Sequence, residues 1–286
     1  MVHRAVEHRF STVHKKLNQP NVLSIQVQFF RLLFPSKAQI SFRDIHLGKS
    51  ASTAQFTVIQ NEKDCIAGMV NLQVLDGYTF KTSWNLAPAP CEASIGHLST
   101  DSDPRWVSYQ CPYHPEGFRR VQSYVKFFVP LVLKDPTYLD QWFTPSDPGD
   151  TFSNETIGFV ADLSLPILDN FFGKDCSGSH EHILEVADQQ KRDREMGIHR
   201  VVDASSGAYE SKGMIMTMSS NIEIKKRLPP DGVKWLFMRA IAKQIKAGRL
   251  SMEVILLDEN GDLVAVSSQV LPIIDLERQK RNKQRL

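Results

Sequence analysis

The sequence predicts an α+β fold in which one unit, a helix followed by an antiparallel meander, occurs twice. Two meanders of matching order and a helical pattern ahead of each predict it. A Gly-basic turn at Leu47-Gly48-Lys49-Ser50 leads into a β-rich run from Ser52 to Gln60, a charged turn at Asn61 to Asp64, and a second run ending near Gln73. The same order returns about two hundred residues later: the turn at Ala247-Gly248-Arg249-Leu250, a run from Met252 to Leu257, the turn Asp258 to Asp262, and a run from Leu263 to Leu271. That spacing means a duplicated domain rather than a solenoid of short repeats, and it places the expected site between the copies.

Residues 2 to 17 open the first copy as an amphipathic helix, with Val6, Phe10, Val13 and Leu17 at helical spacing. Asn18-Gln19-Pro20-Asn21 ends it, because proline lacks a donor N–H and disfavours helical geometry in the residue before it. Leu23, Ile25, Val27 and Phe29 then alternate with polar residues, the period of a strand with one buried face. Ala38 to His46, Ser52 to Gln60 and Ile66 to Leu75 complete the meander.

The second copy starts at Asn154, read as an N-cap with Glu155 in the first turn. Ile157, Val160, Ala161, Ile167, Leu168 and Phe171 form its apolar stripe, with a kink at Pro166. Its strands are Met214 to Lys226, Val233 to Ile245, Leu250 to Asp258 and Leu263 to Pro272. One further strand, Tyr138 to Phe143, precedes the helix. The domain boundaries follow: a first unit over 1–75, an irregular proline-rich connection over 76–136, a second unit over 137–275 with a polar insertion at 174–211, and a basic tail at 276–286. The run Gln189 to Glu195 in the insertion reads as exposed. Nothing in the first copy corresponds to the strand before the second helix, so the first unit is expected to lack its N-terminal strand, as a truncated or degenerate start would leave it.

Composition excludes several classes. A net charge of +2 gives no global reason to expect nucleic acid. Cys65, Cys91, Cys111 and Cys176 show no C-x-x-C spacing, so neither a zinc knuckle nor a redox pair is indicated and a reducing, cytoplasmic setting is expected. No apolar run reaches the roughly 18 residues of a membrane span, and the first ten residues lack the apolar stretch of a secretory signal. No Gly-x-Ser-x-Gly elbow is present. His180 and His182 form a lone His-x-His without a third ligand nearby, so no metal is expected.

Gln26 to Arg31, the stretch Asp44 to Phe56 with its Leu-Gly-Lys-Ser turn, Trp235-Leu236-Phe237 through Gly248-Arg249 to Asp258, and Gly261 to Gln269 resemble the acyl-CoA thioesterase type II family, in particular its fungal thioesterase-like branch. The resemblance implies a double hotdog, two antiparallel sheets each wrapping a central helix. It also implies hydrolysis of an acyl-CoA or carrier-linked acyl thioester, a link to secondary metabolism, and no metal or redox cofactor. A homo-oligomer stays open. The family orients its hydrolytic water with an Asp, a Thr or Ser, and a Gln. Gln269 falls on the family's Gln, and an amide can hold a water through its oxygen while its NH₂ donates elsewhere. The family's Thr falls on Lys243, beside Gln244, and Lys243 then becomes a contact for coenzyme A phosphates. Its Asp falls on the strand from Thr217 to Asn221, which has no carboxylate. The substitutes are Asn221, Ser219, or Asp162, which matches an acidic position on the family's second helix.

Each of these residues has a second reading. Asp162 can be a structural carboxylate beneath the sheet, Gln269 a strand-end amide facing solvent, and Lys243 and Lys246 a solvated strand face. If the acid is lost, the protein is a non-catalytic hotdog that binds an acyl group or a partner. Gln284-Arg285-Leu286 is either a frayed tail or a loose version of the peroxisomal Ser-Lys-Leu address.

Overall fold

The structure, a computed structural model, describes residues 1–74, 78–80, 82–111, 120–174, 176, 178–198 and 213–275. The first copy consists of α1 (Val2–Thr12), β1 (Asn21–Phe29), β2 (Gln39–Leu47), β3 (Ala51–Gln60) and β4 (Lys63–Gln73). After it come α2 (Ile95–Ser99), β5 (Trp106–Gln110), β6 (Val125–Pro130) and β7 (Tyr138–Pro145). The second copy continues with α3 (Ile157–Val160), α4 (His180–Glu195), β8 (Gly213–Ile215), β9 (Ser219–Ile224), β10 (Leu236–Lys246), β11 (Arg249–Asp258) and β12 (Leu263–Asp275).

The two meanders join edge to edge into one 12-stranded sheet, in the order β2-β3-β4-β1-β9-β12-β11-β10-β7-β6-β5, with β8 pairing β12. The seam is the antiparallel pair β1–β9, in which Ile25 faces Ile222 and Val27 faces Ser220. Both meanders turn on hairpins that the sequence marks. Asn61 and Glu62 between β3 and β4, and Ala247 and Gly248 between β10 and β11, all take positive φ, the backbone of a two-residue loop that suits strand twist. At the outer edge of β2 no strand pairs among the described residues, whereas β7 occupies the matching place beside β10.

The first core is small and lies on one side. Val6 and Phe10 of α1 pack on Phe56 and Val58, which the strict alternation of β3 turns inward, and on Leu72 of β4. The helix stops at Thr12, where the hydroxyl bonds back to the His8 carbonyl, and Val13 is exposed rather than buried as its spacing predicts.

The second core differs from the expected single helix with a kink at Pro166. A 3₁₀ turn over Asn154–Thr156 leads into four residues of α3, the chain then runs extended, and a second 3₁₀ turn spans Ile167–Phe171. Asn154 is not the N-cap. Ser153 and Thr156 form the capping box, and the Asn154 amide instead pairs with both backbone groups of Leu228, at 2.8 and 3.0 Å. Pro166 disfavours helical geometry at Leu165, so the helix ends upstream.

The segment read as an irregular connection and the one read as a polar insertion both carry regular elements. Within 76–136 the structure forms α2, β5 and β6, whose short apolar runs lie between prolines that dominate the local composition. Within the polar insertion it forms α4, capped by Ser179. The apolar residues that helix fully buries are Ile183 and Ala187, a narrow stripe, so its polar composition hides it. It closes the sheet edge at β5: the Gln190 amide accepts from the Gln110 N–H at 3.1 Å and donates to the Gln110 carbonyl at 2.7 Å, as a neighbouring strand would. The remaining face of the second half-sheet is covered by the proline-rich segment, whose Leu86 and Leu98 pack on Trp106, Phe128, Phe237 and Ile255. Beneath it the fully buried Arg239 guanidinium binds Asp140 through two nitrogens, at 2.5 and 2.7 Å, and the Pro88 carbonyl at 2.5 Å. The basic tail from 276 and its Gln284-Arg285-Leu286 end lie outside the described residues, as do residues 199–212 of the insertion.

Candidate active site

Where α3 gives way to extended chain, two polar side chains meet and a third bonds to the backbone of the residue before one of them. Asp162 is the second residue past α3. The Thr217 hydroxyl donates to its Oδ1 at 2.9 Å. Gln269, on β12 and almost fully buried, donates from Nε2 to the carbonyl of Ala161 at 3.0 Å and to the Ser267 hydroxyl at 3.3 Å. These bonds fix which end of the amide is which and leave Gln269 Oε1 buried without a protein partner.

A bulge puts Thr217 there. From Ile215 to Ser219 the chain takes four steps, while β12 from Ile273 to Val270 takes three, so one extra residue lies between β8 and β9. Uninterrupted alternation counted back from Ser220, which shares the face of Gln269, would turn Thr217 to the opposite side. The extra residue turns it toward Asp162. Pro272 sits opposite the bulge and offers its carbonyl to the Met216 N–H at 3.3 Å.

Asp162 is accessible to solvent, yet protein surrounds it closely enough that burial pushes its carboxyl above the ordinary aspartate range, against the lowering effect of the Thr217 hydroxyl. A cleft of about 530 Å³ opens beyond the other end of α3, lined by Arg4, Ala5, His8, Ile40, Glu155 and Thr156 among others. None of its lining residues belongs to the Asp162 group.

The other residues singled out from the sequence lie elsewhere. Because Gln269 pairs with Ser220, its neighbours Ser219 and Asn221 point to the opposite face of the sheet and do not join the Asp162 group. Lys243 is the extra residue of a bulge in β10, is more than half exposed, and its ammonium pairs with Glu253 at 2.5 Å on that same far face. Gln244 is exposed beside it. Lys243, on which the family's Thr falls, thus lies apart from this group, and the threonine and aspartate that hydrogen-bond are Thr217 and Asp162. His180 and His182 diverge on α4. His180 is buried against the Pro130 carbonyl at 2.6 Å, and burial holds its pKa down, while His182 lies 4.0 Å from Glu185. Among the described residues no cluster of three or more metal-binding side chains forms, and no helix is long and apolar enough to cross a membrane.

Sequence reasoning missed Thr217, and also the buried glutamines Gln122 and Gln141 behind Asp162. The one local signal for Thr217 was Pro272, since a proline inside a paired strand marks a bulge. Nothing local marks Gln122 or Gln141.

Comparison with known proteins agrees with this architecture. Residues 1–73 match the acyl-CoA thioesterase N-terminal domain and residues 92–273 the acyl-CoA thioesterase C-terminal domain. The chain belongs to the acyl-CoA thioesterase family, and its fold is a double hotdog. Thioesterase-like protein TwmA from Talaromyces wortmannii is 24% identical over 93% of this chain and 80% of its own. Among solved structures, a protein from Thermobifida fusca assigned as a thioesterase II superposes with a TM-score of 0.62 at 16% identity, over 90% of this chain and 82% of that one. A hot dog fold protein of unknown function from Alicyclobacillus acidocaldarius gives 0.57 at 13% identity, over 89% and 79%.

Proposed function

We propose that this protein hydrolyses an acyl thioester, with Asp162 as the base that activates water and with Thr217 and Gln269 orienting the reactants. The observation that carries the reading is the unpartnered, buried Oε1 of Gln269 on an amide whose NH₂ is already engaged by the residue next to Asp162. A water placed between Gln269 Oε1 and the Asp162 carboxylate donates one proton to each. Thr217 occupies Oδ1, which leaves Oδ2 for that water.

The reaction then balances as follows. Asp162 takes a proton from the water as its oxygen bonds to the thioester carbonyl carbon. The tetrahedral intermediate collapses by breaking the carbon–sulfur bond, and the proton on Asp162 passes to the departing thiolate. The products are a carboxylic acid and a thiol. The raised pKa of Asp162 suits both steps, since a stronger base accepts the proton more readily and the carboxylic acid can still return it.

The substrate class is an acyl group on coenzyme A or on a carrier protein, supported by family membership. The likeness to a thioesterase-like protein of a Talaromyces species supports an acyl group of secondary metabolism within that class. The test is thiol release from acetyl-, hexanoyl- and palmitoyl-CoA and from the matching pantetheine thioesters, with Asp162→Asn as the control. Turnover that vanishes in the variant is the expected result. Saturable binding without any turnover by the folded wild-type protein makes this an acyl-binding hotdog instead.

A further inference from the structure

The segment that carries Asp162 has left its helix without entering a strand, yet its backbone is not free. Ala161 gives its carbonyl to Gln269 at 3.0 Å. Gln122 donates to the carbonyl of Ser164 at 3.1 Å and approaches that of Leu163 at 3.5 Å. Gln141, on β7 and wholly inaccessible, accepts the Leu165 N–H at 2.9 Å and donates to the Ser164 hydroxyl at 3.1 Å. That hydroxyl in turn donates to the Leu165 carbonyl at 2.8 Å. Three amide side chains from three separate elements thus replace the ladder that a helix or strand would supply.

We propose that Gln141, supported by Gln122, is a positioning residue for thioester hydrolysis: it locks the backbone at 163–165 and thereby the direction in which the Asp162 carboxylate points. The proposal rests on the reading of Asp162 as the base. A glutamine at the centre of an apolar core costs free energy unless its amide is satisfied, and an aliphatic side chain would fill that volume without the cost. What the two amides add is a fixed orientation for three backbone groups, the Leu163 and Ser164 carbonyls held by Gln122 and the Leu165 N–H held by Gln141, the first of them one residue from Asp162. A base displaced by about 1 Å loses on the order of 10²-fold in rate, so this lock acts on turnover rather than on binding.

The experiment compares wild type with Gln141→Met, Gln141→Glu, Ser164→Ala and Asp162→Asn. It reads kcat and KM on the acyl-CoA that turns over best and, independently of turnover, the NMR titration of the Asp162 carboxyl carbon. Gln141→Met is expected to lower kcat by roughly 10- to 100-fold with KM changed less than about twofold. Loosening the segment admits water, so the Asp162 midpoint moves down toward that of an ordinary aspartate. Gln141→Glu keeps the acceptor for the Leu165 N–H and recovers part of the loss. A folded Gln141→Met protein with wild-type kcat and an unmoved Asp162 midpoint overturns the proposal. If Gln141→Met does not fold, Ser164→Ala decides: a lowered kcat with a moved midpoint supports the lock, and wild-type values of both overturn it. Full turnover by Asp162→Asn removes the base and the lock together. A dead Asp162→Asn beside an unaffected Gln141→Met removes the lock alone.

Discussion

The two hotdogs of this chain share an order of elements but treat the central helix differently, and the difference is where the candidate site comes from. In the first hotdog, α1 stays helical for 11 residues and buries one stripe, with its backbone satisfied internally. In the second, α3 lasts 4 residues, and the chain that follows must find partners for its backbone in Gln122, Gln141 and Gln269. An intact helix would carry Asp162 on a surface already closed by its own hydrogen bonds. Breaking it exposes backbone and side chain together, and polar residues converge there as a result. The second hotdog also carries the supporting structure: β7 beside β10, α4 along the edge at β5, and the proline-rich cover over Phe237 and Ile255. The first leaves the edge of β2 without a strand among the described residues. The second copy thus holds both the polar cluster and the elements that support it.

The sharpest way to break this comparison is to remove the acid. Asp162→Asn is expected to lower kcat/KM for thioester hydrolysis by about 10³-fold, with the melting temperature held or raised, because the replaced carboxyl was desolvated. Gln269→Leu is expected to cost about 10²-fold, since the water loses its second acceptor and the Ala161 carbonyl its donor. Thr217→Val should cost about tenfold and also move the acid limb of the rate profile. The sign follows from the chemistry. In the proposed mechanism the base works as the carboxylate, so rate rises with pH through the Asp162 pKa, and loss of the hydroxyl that lowers this pKa shifts the limb to higher pH.

The first hotdog is expected to respond in stability alone. Phe56→Ala removes the ring at the centre of the small core and should cost about 3–5 kcal/mol in chemical unfolding, with kcat of the folded protein unchanged at low temperature. A large fall in kcat without loss of stability would show that the first copy reaches the chemistry. The smallest effect belongs to Asp44 of β2, which pairs with Arg9 of α1 at 2.7 Å and with His14 just past the helix at 3.0 Å. The Arg9 guanidinium holds the Asp44 carboxyl below its ordinary value. Its stabilisation is therefore present above the unfolded aspartate pKa and is lost as pH falls through the lower folded value. Asp44→Asn should cost about 1 kcal/mol near neutrality and nothing in strong acid, where both proteins carry a neutral group.

Legibility in the sequence followed the range of the interaction. The alternation of Ile25 and Val27, the hairpin at Ala247-Gly248 and the run from Leu263 to Pro272 are local patterns, and the observed strands match them within a few residues. The broken helix was half visible, because Pro166 announces a disruption without saying where the chain leaves the helix. β5, β6 and α4 were hidden behind proline-rich or polar composition, since each buries only a short or narrow face.

By itself, then, the amino-acid order determined the duplicated helix-and-meander plan, the register of its hairpins and the inward faces of its strands, because these arise from neighbours along the chain. Only the tertiary structure decided that Thr217 and Asp162, 55 residues apart, share a hydrogen bond, that Ser219 and Asn221 turn away from them, and that glutamines from distant elements hold the loop between α3 and Pro166. A bulge reverses the face of one residue and a buried amide satisfies a remote backbone group. Neither leaves a period in the sequence to be read.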